Sequence, residues 1–154
     1  MKSAHIISSL IIAAAVLAVP AVSYAEDKAA ISAMEAYFDF SEYESGTILP
    51  EQIPAEDWKK IYVIDARDAE QFHKAHIPGA VHIEWRQVLA RRSEIPKDKP
   101  VLIYCNQGTL SAQAGFALRL AGYENVRILQ GGMAEWTARG GFDAAAKATG
   151  APTH

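Results

Sequence analysis

One cysteine, Cys105, stands in the 154-residue chain, inside the stretch VLIYCNQGTLSAQAGFALRLAGY. The five residues 101–105 are apolar and partly β-branched, which reads as a strand buried on both faces. The residues from Ser111 onward read as a helix. Cys105 therefore sits at the carboxyl end of a strand, where open parallel sheets bind their ligands. Gly108 permits backbone conformations closed to other residues. A short loop can then curl so that successive N–H groups point inward and form an anion-binding nest. The helix that follows adds unpaired N–H groups and a positive dipole end, with Thr109 or Ser111 expected as its cap. A sulfur centred in such a cradle ionises more readily than a free thiol, and the thiolate is the nucleophilic form. The chemistry expected is a thiolate that binds an anion and receives an atom or group from it. The competing reading, a buried cysteine acting as a small hydrophobe, gives no reason for a polar, glycine-containing loop directly after it.

Other constellations are weaker. A Cys–His protease needs a histidine base, and His73, His76 and His82 all lie in one distant segment. Three histidines without a clear fourth ligand make a poor zinc site. No metal site is expected, and His76 reads as a turn residue ahead of Pro78. The cluster ARRS (90–93) is too short to mark a nucleic-acid surface.

Cys105 has to be positioned by alternating strands and helices. Residues 61–67 (IYVIDAR), 81–83 (VHI), 101–105 and 126–129 (VRIL) read as strands. Asp68 suits a helix N-cap, with Gln71 three residues on. Residues 84–92 (EWRQVLARR) read as a helix with Trp85, Val88 and Leu89 on one face. QGGMAEWTARGG reads as a glycine turn, a short helix and a glycine stop. Residues 27–45 begin helix-like, and their aromatic residues Tyr37, Phe38, Phe40 and Tyr43 suggest a segment packed onto the core. Continuous apolar strands alternating with helices imply one α/β domain, a parallel sheet covered on both faces.

The N-terminus has the order of a secretory signal: Lys2, an apolar run of 14 residues from Ile6 to Val19, then Pro20 and the small residues Ser23 and Ala25. That run is short for a membrane span. Cleavage near Glu26 is expected, giving an exported, periplasmic protein with no membrane association afterwards. About 130 residues remain, a normal length for one domain. The net charge of −3 gives no nucleic-acid footprint. A single cysteine in an exported chain excludes an internal disulfide framework.

Three stretches in order resemble single-domain rhodaneses: VIDARDAEQFHKAHIPGAVHI, IYCNQGTLSA and LQGGMAEW. The resemblance covers about residues 48–141, with 1–25 as the signal peptide, 26–47 as an extension packing on the domain and 143–154 as a flexible tail. It implies a parallel sheet of about five strands between helices, and transfer of sulfane sulfur through a persulfide on Cys105. Its partners would be a small sulfur-containing anion, or a thiol or persulfide, as donor and acceptor, with no metal or organic cofactor. By this resemblance Cys105 is the nucleophile. Asn106, Gln107, Gly108, Thr109 and Leu110 form the cradling loop, with Ser111 at its end. Asp65 and Arg67 match a strand-end pair that is mainly structural, Arg67 being also placed with the pocket residues. Gly79, Gly131, Gly132 and Trp136 match as fold-holding residues.

The loop departs from the family pattern in carrying no charge, with Leu110 where arginine is often found. That favours a larger or less charged donor over thiosulfate. A related class of Cys-dependent phosphatases and arsenate reductases uses Cys-x5-Arg, and Ser111 occupies the arginine position here, which removes the bidentate oxyanion clamp. The remaining alternative is a rhodanese-like module that binds a partner, carries a persulfide or senses redox state.

Overall fold

The computed structural model describes residues 27–42 and 46–142. The expected signal peptide and its cleavage point, Tyr43 and the expected tail lie outside the described residues. Five parallel strands form one sheet: β1 (Thr47–Ile48), β2 (Tyr62–Asp65), β3 (Val81–His82), β4 (Val101–Tyr104) and β5 (Val126–Leu129), in the order β1-β5-β4-β2-β3. The helices are α1 (Lys28–Phe40), α2 (Ala69–Lys74), α3 (Thr109–Leu120) and α4 (Gly132–Ala138). The expected α/β class and parallel five-stranded sheet are both present.

Strand alternation divides the core in two. Ile64, Val101, Ile103, Val126 and Ile128 face α3, where they meet Ala114 and Leu118. Val63, Leu102, Tyr104 and Leu129 face the other side, against Trp58, Ile77 and Trp136. β4 is buried throughout, as its unbroken apolar run requires. It lies between β5 and β2, so Cys105, the next residue, emerges near the middle of the sheet.

A buried polar knot ties β2 to β4. The Arg67 guanidinium donates to both Asp65 carboxylate oxygens, 2.9 Å from Nε to Oδ1 and 2.6 Å from Nη2 to Oδ2, and also to the Ala75 carbonyl at 2.6 Å. The Tyr104 hydroxyl donates to Asp65 Oδ2 at 2.7 Å and accepts from the Ile77 N–H at 3.0 Å. Burial first, then the bond to Asp65, pushes the Tyr104 phenol well above its ordinary range. Asp65 and Arg67, expected together at the strand end, are bonded to each other, and Arg67 also bonds the Ala75 carbonyl and lies over the Tyr104 ring.

Several local expectations need correction. Residues 84–92 do not form an α-helix: residues 85–91 are turns, followed by a 3-10 turn over Arg92–Glu94. The segment's backbone bonds are those of turns, Gln87 N–H to the Glu84 carbonyl and Arg91 N–H to the Gln87 carbonyl, both 2.8 Å, while the Trp85 N–H bonds the Ala66 carbonyl at 3.0 Å and holds the start of the segment against β2. Val88 is buried, but Leu89, assigned to the same face, is exposed. α1 is a helix, and Tyr37 and Phe38 pack on Phe116 of α3. No residue of α1 is buried, and Phe38 and Phe40 are largely exposed. β1, only two residues long, offers no periodicity for a sequence to display.

The knot makes a stability prediction. Tyr104→Phe keeps the ring but leaves the buried Ile77 N–H without its acceptor, a cost of about 1–3 kcal/mol. Urea unfolding of this variant should show a lower midpoint with an unchanged slope.

Candidate active site

Cys105 follows β4 directly and is 3% exposed. It is a free thiol. The turn after it is shorter than the sequence suggests. Gly108, at φ 107°, is the N-cap of α3, and Thr109 and Leu110 already lie in the first helical turn. Neither Thr109 nor Ser111 caps the helix with its side chain; the cap has no side-chain hydrogen bond. A side chain at this left-handed φ would be strained, so glycine lets β4 turn into α3 within the four residues 105–108.

The amides close on the sulfur. The Gly108 N–H donates to Cys105 Sγ at 3.2 Å, and the Ser111 hydroxyl lies 3.5 Å from it. Burial pushes the thiol up. Against this act the Ser111 hydroxyl and the backbone N–H groups of Ser111, Gln107 and Gly108, and the thiol is held below its ordinary value. Ser111 is fully buried, and its hydroxyl also reaches the Gly108 carbonyl at 3.0 Å. It has one proton for two acceptors. A negative sulfur draws that proton, because hydrogen bonds to charged groups are the stronger ones.

The turn is held from outside by α4. The Met133 N–H donates to the Cys105 carbonyl at 2.8 Å, and the Ala134 N–H to the Asn106 carbonyl at 3.0 Å. The Asn106 carbonyl shares its peptide plane with the Gln107 N–H, so holding it on α4 turns that amide the other way, toward the sulfur. Gly132 stands so close that a Cβ there would run into the Cys105 carbonyl oxygen and the Asn106 carbonyl group. The sequence marked Gly131 and Gly132 as fold-holding residues; the structure gives Gly132 a direct place against the active turn. Among the sequence-derived site residues, Cys105, Gln107, Gly108 and Ser111 converge on the sulfur. Asn106, Gln107 and Thr109 expose their side chains, and Leu110 is half-buried.

The histidines are occupied differently. His76 Nδ1 lies 2.9 Å from the Phe72 carbonyl, as suits a turn residue, and Phe72 stacks on both His76 and His82. Among the described residues no group of three or more His, Cys, Asp or Glu is arranged to hold a metal ion. A cavity of about 440 Å³ lined by Lys97, Lys99, Glu124 and Arg127 opens at the opposite, N-terminal end of the strands.

The rhodanese-like domain family matches residues 42–139. A protein of Allochromatium vinosum named sulfurtransferase is 36% identical over 84 residues, which are 54% of this chain and 78% of that protein. The thiosulfate sulfurtransferase GlpE of Pseudomonas savastanoi pv. phaseolicola is 32% identical over 91 residues, 59% of this chain and 86% of that protein. The chain spans only 44% and 63% of the lengths of two Bacillus subtilis relatives, YrkF and YqhL. The solution structure of a rhodanese-like domain from Anabaena sp. superposes with a TM-score of 0.56 at 27% identity, covering 62% of this chain and 75% of that one.

A pH prediction follows from the donors around Sγ. Because they favour the thiolate, removing one must raise the thiol pKa. Iodoacetamide alkylation of Cys105 should rise with pH at a midpoint below that of free cysteine. Ser111→Ala should move the midpoint upward and slow the reaction at pH 7 by about tenfold.

Proposed function

We propose, for a chain that belongs to the rhodanese-like family, that it is a sulfurtransferase working through a persulfide on Cys105. The observation that carries this reading is the set of N–H and O–H donors aimed at one buried, unpaired thiol. In the proposed reaction the Cys105 thiolate attacks the outer sulfur of a donor such as thiosulfate. The Sγ–S bond forms, the donor's S–S bond breaks, and its electron pair leaves with sulfite. The persulfide anion so formed accepts the same amides of Gln107, Gly108 and Ser111. A thiophilic acceptor, cyanide or a thiol, then takes the outer sulfur and returns the thiolate. Charge and atoms balance at both steps without a cofactor.

Sulfurtransferase names among the relatives support the class. The cradle is built of backbone amides and one hydroxyl, which suits a singly charged persulfide. Residues 106–111 bring no charged side chain of their own, so within the turn only amides and hydroxyls can meet the donor's anionic group. We further propose, from the sequence of residues 1–25, that the protein works in the periplasm after cleavage near Glu26.

Intact-mass spectrometry of the purified protein should show a gain of one sulfur atom after thiosulfate and its loss after cyanide. Cys105→Ser should show neither. A free Cys105 that never gains sulfur would refute thiosulfate as donor. The same spectrum reads the start of the mature chain. Leu110→Arg, which adds a cation beside the turn, should raise turnover with thiosulfate several-fold in a steady-state assay.

A further inference from the structure

We propose that Arg86, resting on Trp85, is the cation that receives the anionic group of the sulfur donor as it approaches Cys105. This inference rests on the sulfurtransferase reading and adds to it the residue that selects anionic donors.

The placement comes from the sheet. Asp65 pairs with Tyr104 on one side and with His82 on the other. Continuing that register by one residue puts Cys105, Ala66 and Ile83 in one row. Side-chain alternation sends this row toward α3, as for Ile64 and Ile103 one pleat earlier. Trp85 is the next residue of the same parity after Ile83, and it packs against that same core cluster. Its N–H bonds the Ala66 carbonyl, while the Ala66 N–H bonds the Tyr104 carbonyl at 2.8 Å. Trp85 thus stands about two strand spacings, about 10 Å, from β4. Between them lies Ala66, a fully buried residue with a single methyl.

Arg86 extends from this rim. Its guanidinium carbon lies 5.3 Å from the centre of the Trp85 ring, a stacking arrangement that holds a guanidinium without using its N–H donors. Its ion pair with Glu84 is long, 3.7 Å, and its side chain is 73% exposed. That separation is outside hydrogen-bond range. Other arginines near this end of the sheet are committed. Arg67 is bound to Asp65 and the Ala75 carbonyl. Arg91 makes two bonds to Glu94. Arg139 pairs with Glu135 and Glu51. Arg86 is held by an aromatic face and a distant carboxylate, an arrangement from which its donors can turn to an incoming oxyanion at little cost. The division of labour is simple: backbone amides hold the reacting sulfur, and Arg86 meets the charge the donor brings.

The test compares two alkylating agents of nearly equal size, neutral iodoacetamide and anionic iodoacetate, on the full chain. Each loses iodide to the Cys105 thiolate, so the ratio of their rates reports the charge near the sulfur independently of any sulfur transfer. In Arg86→Ala the iodoacetamide rate should be unchanged and the iodoacetate rate should fall about fivefold, the scale of one exposed charge pair. Arg86→Lys should restore part of that loss, and added salt should narrow the difference between wild type and Arg86→Ala. With thiosulfate, Arg86→Ala should raise KM more than it lowers kcat. An unchanged rate ratio would overturn the proposal. So would an equal fall in both rates, which would mean that Arg86 shapes the turn instead of supplying charge. If wild type takes no sulfur from thiosulfate, the sulfurtransferase reading fails while the alkylation ratio still judges Arg86.

Discussion

The active turn depends on two hydrogen bonds that never touch the sulfur. By taking up the carbonyls of Cys105 and Asn106, the first N–H groups of α4 fix which way those peptide planes face. A peptide plane with its carbonyl pinned on one side presents its amide on the other. The Gln107 N–H, which shares its peptide plane with the held Asn106 carbonyl, is one of the donors that lower the thiol pKa against the upward push of desolvation. Gly132 is the steric condition for the arrangement, since only a residue without Cβ lets α4 come this near. The turn that carries the thiol is therefore braced by an element that comes well after it in the chain.

The rest of the fold serves that meeting. β4 and β5 are neighbours, so the turns that leave them open side by side, one carrying Cys105 and the other the glycines that start α4. On the far side of β4, the Asp65–Arg67–Tyr104 knot fixes β2 and the segment before β3. A buried ion pair of this kind is weak evidence of stability in itself. Here its value is geometric, since it joins Ala75 and Ile77 to β2 and β4 through polar groups that have no cheaper way to be buried.

How much of this was legible in the sequence follows the range of each interaction. Cys105 at a strand end, Gly108 in the turn and the helix beyond are local features, and they read correctly. The cap at Gly108 instead of Thr109 or Ser111 did not, because Ser111 directs its hydroxyl to Sγ and to the Gly108 carbonyl. The segment 84–92 has a helical apolar spacing, yet it folds as turns anchored to β2 through the bond from Trp85 to Ala66. β1 is too short to show a period, and its existence was implied by the family resemblance alone. Arg67 was placed near the pocket by that resemblance, and its partners Tyr104 and Ala75 are contacts no spacing reveals. Nothing local distinguishes Arg86 from other surface arginines; only the strand order relates its segment to that of Cys105.

The turn around Cys105 meets the sulfur mainly with its main chain and leaves the side chains of Asn106, Gln107 and Thr109 exposed. Chemistry and recognition are therefore written in separate alphabets at one address. Amides are supplied by every residue except proline, so the outward side chains can drift in size, charge and polarity while the sulfur keeps its environment. A lineage built on this plan can change what its outer surface meets without having to rebuild the environment of the thiol.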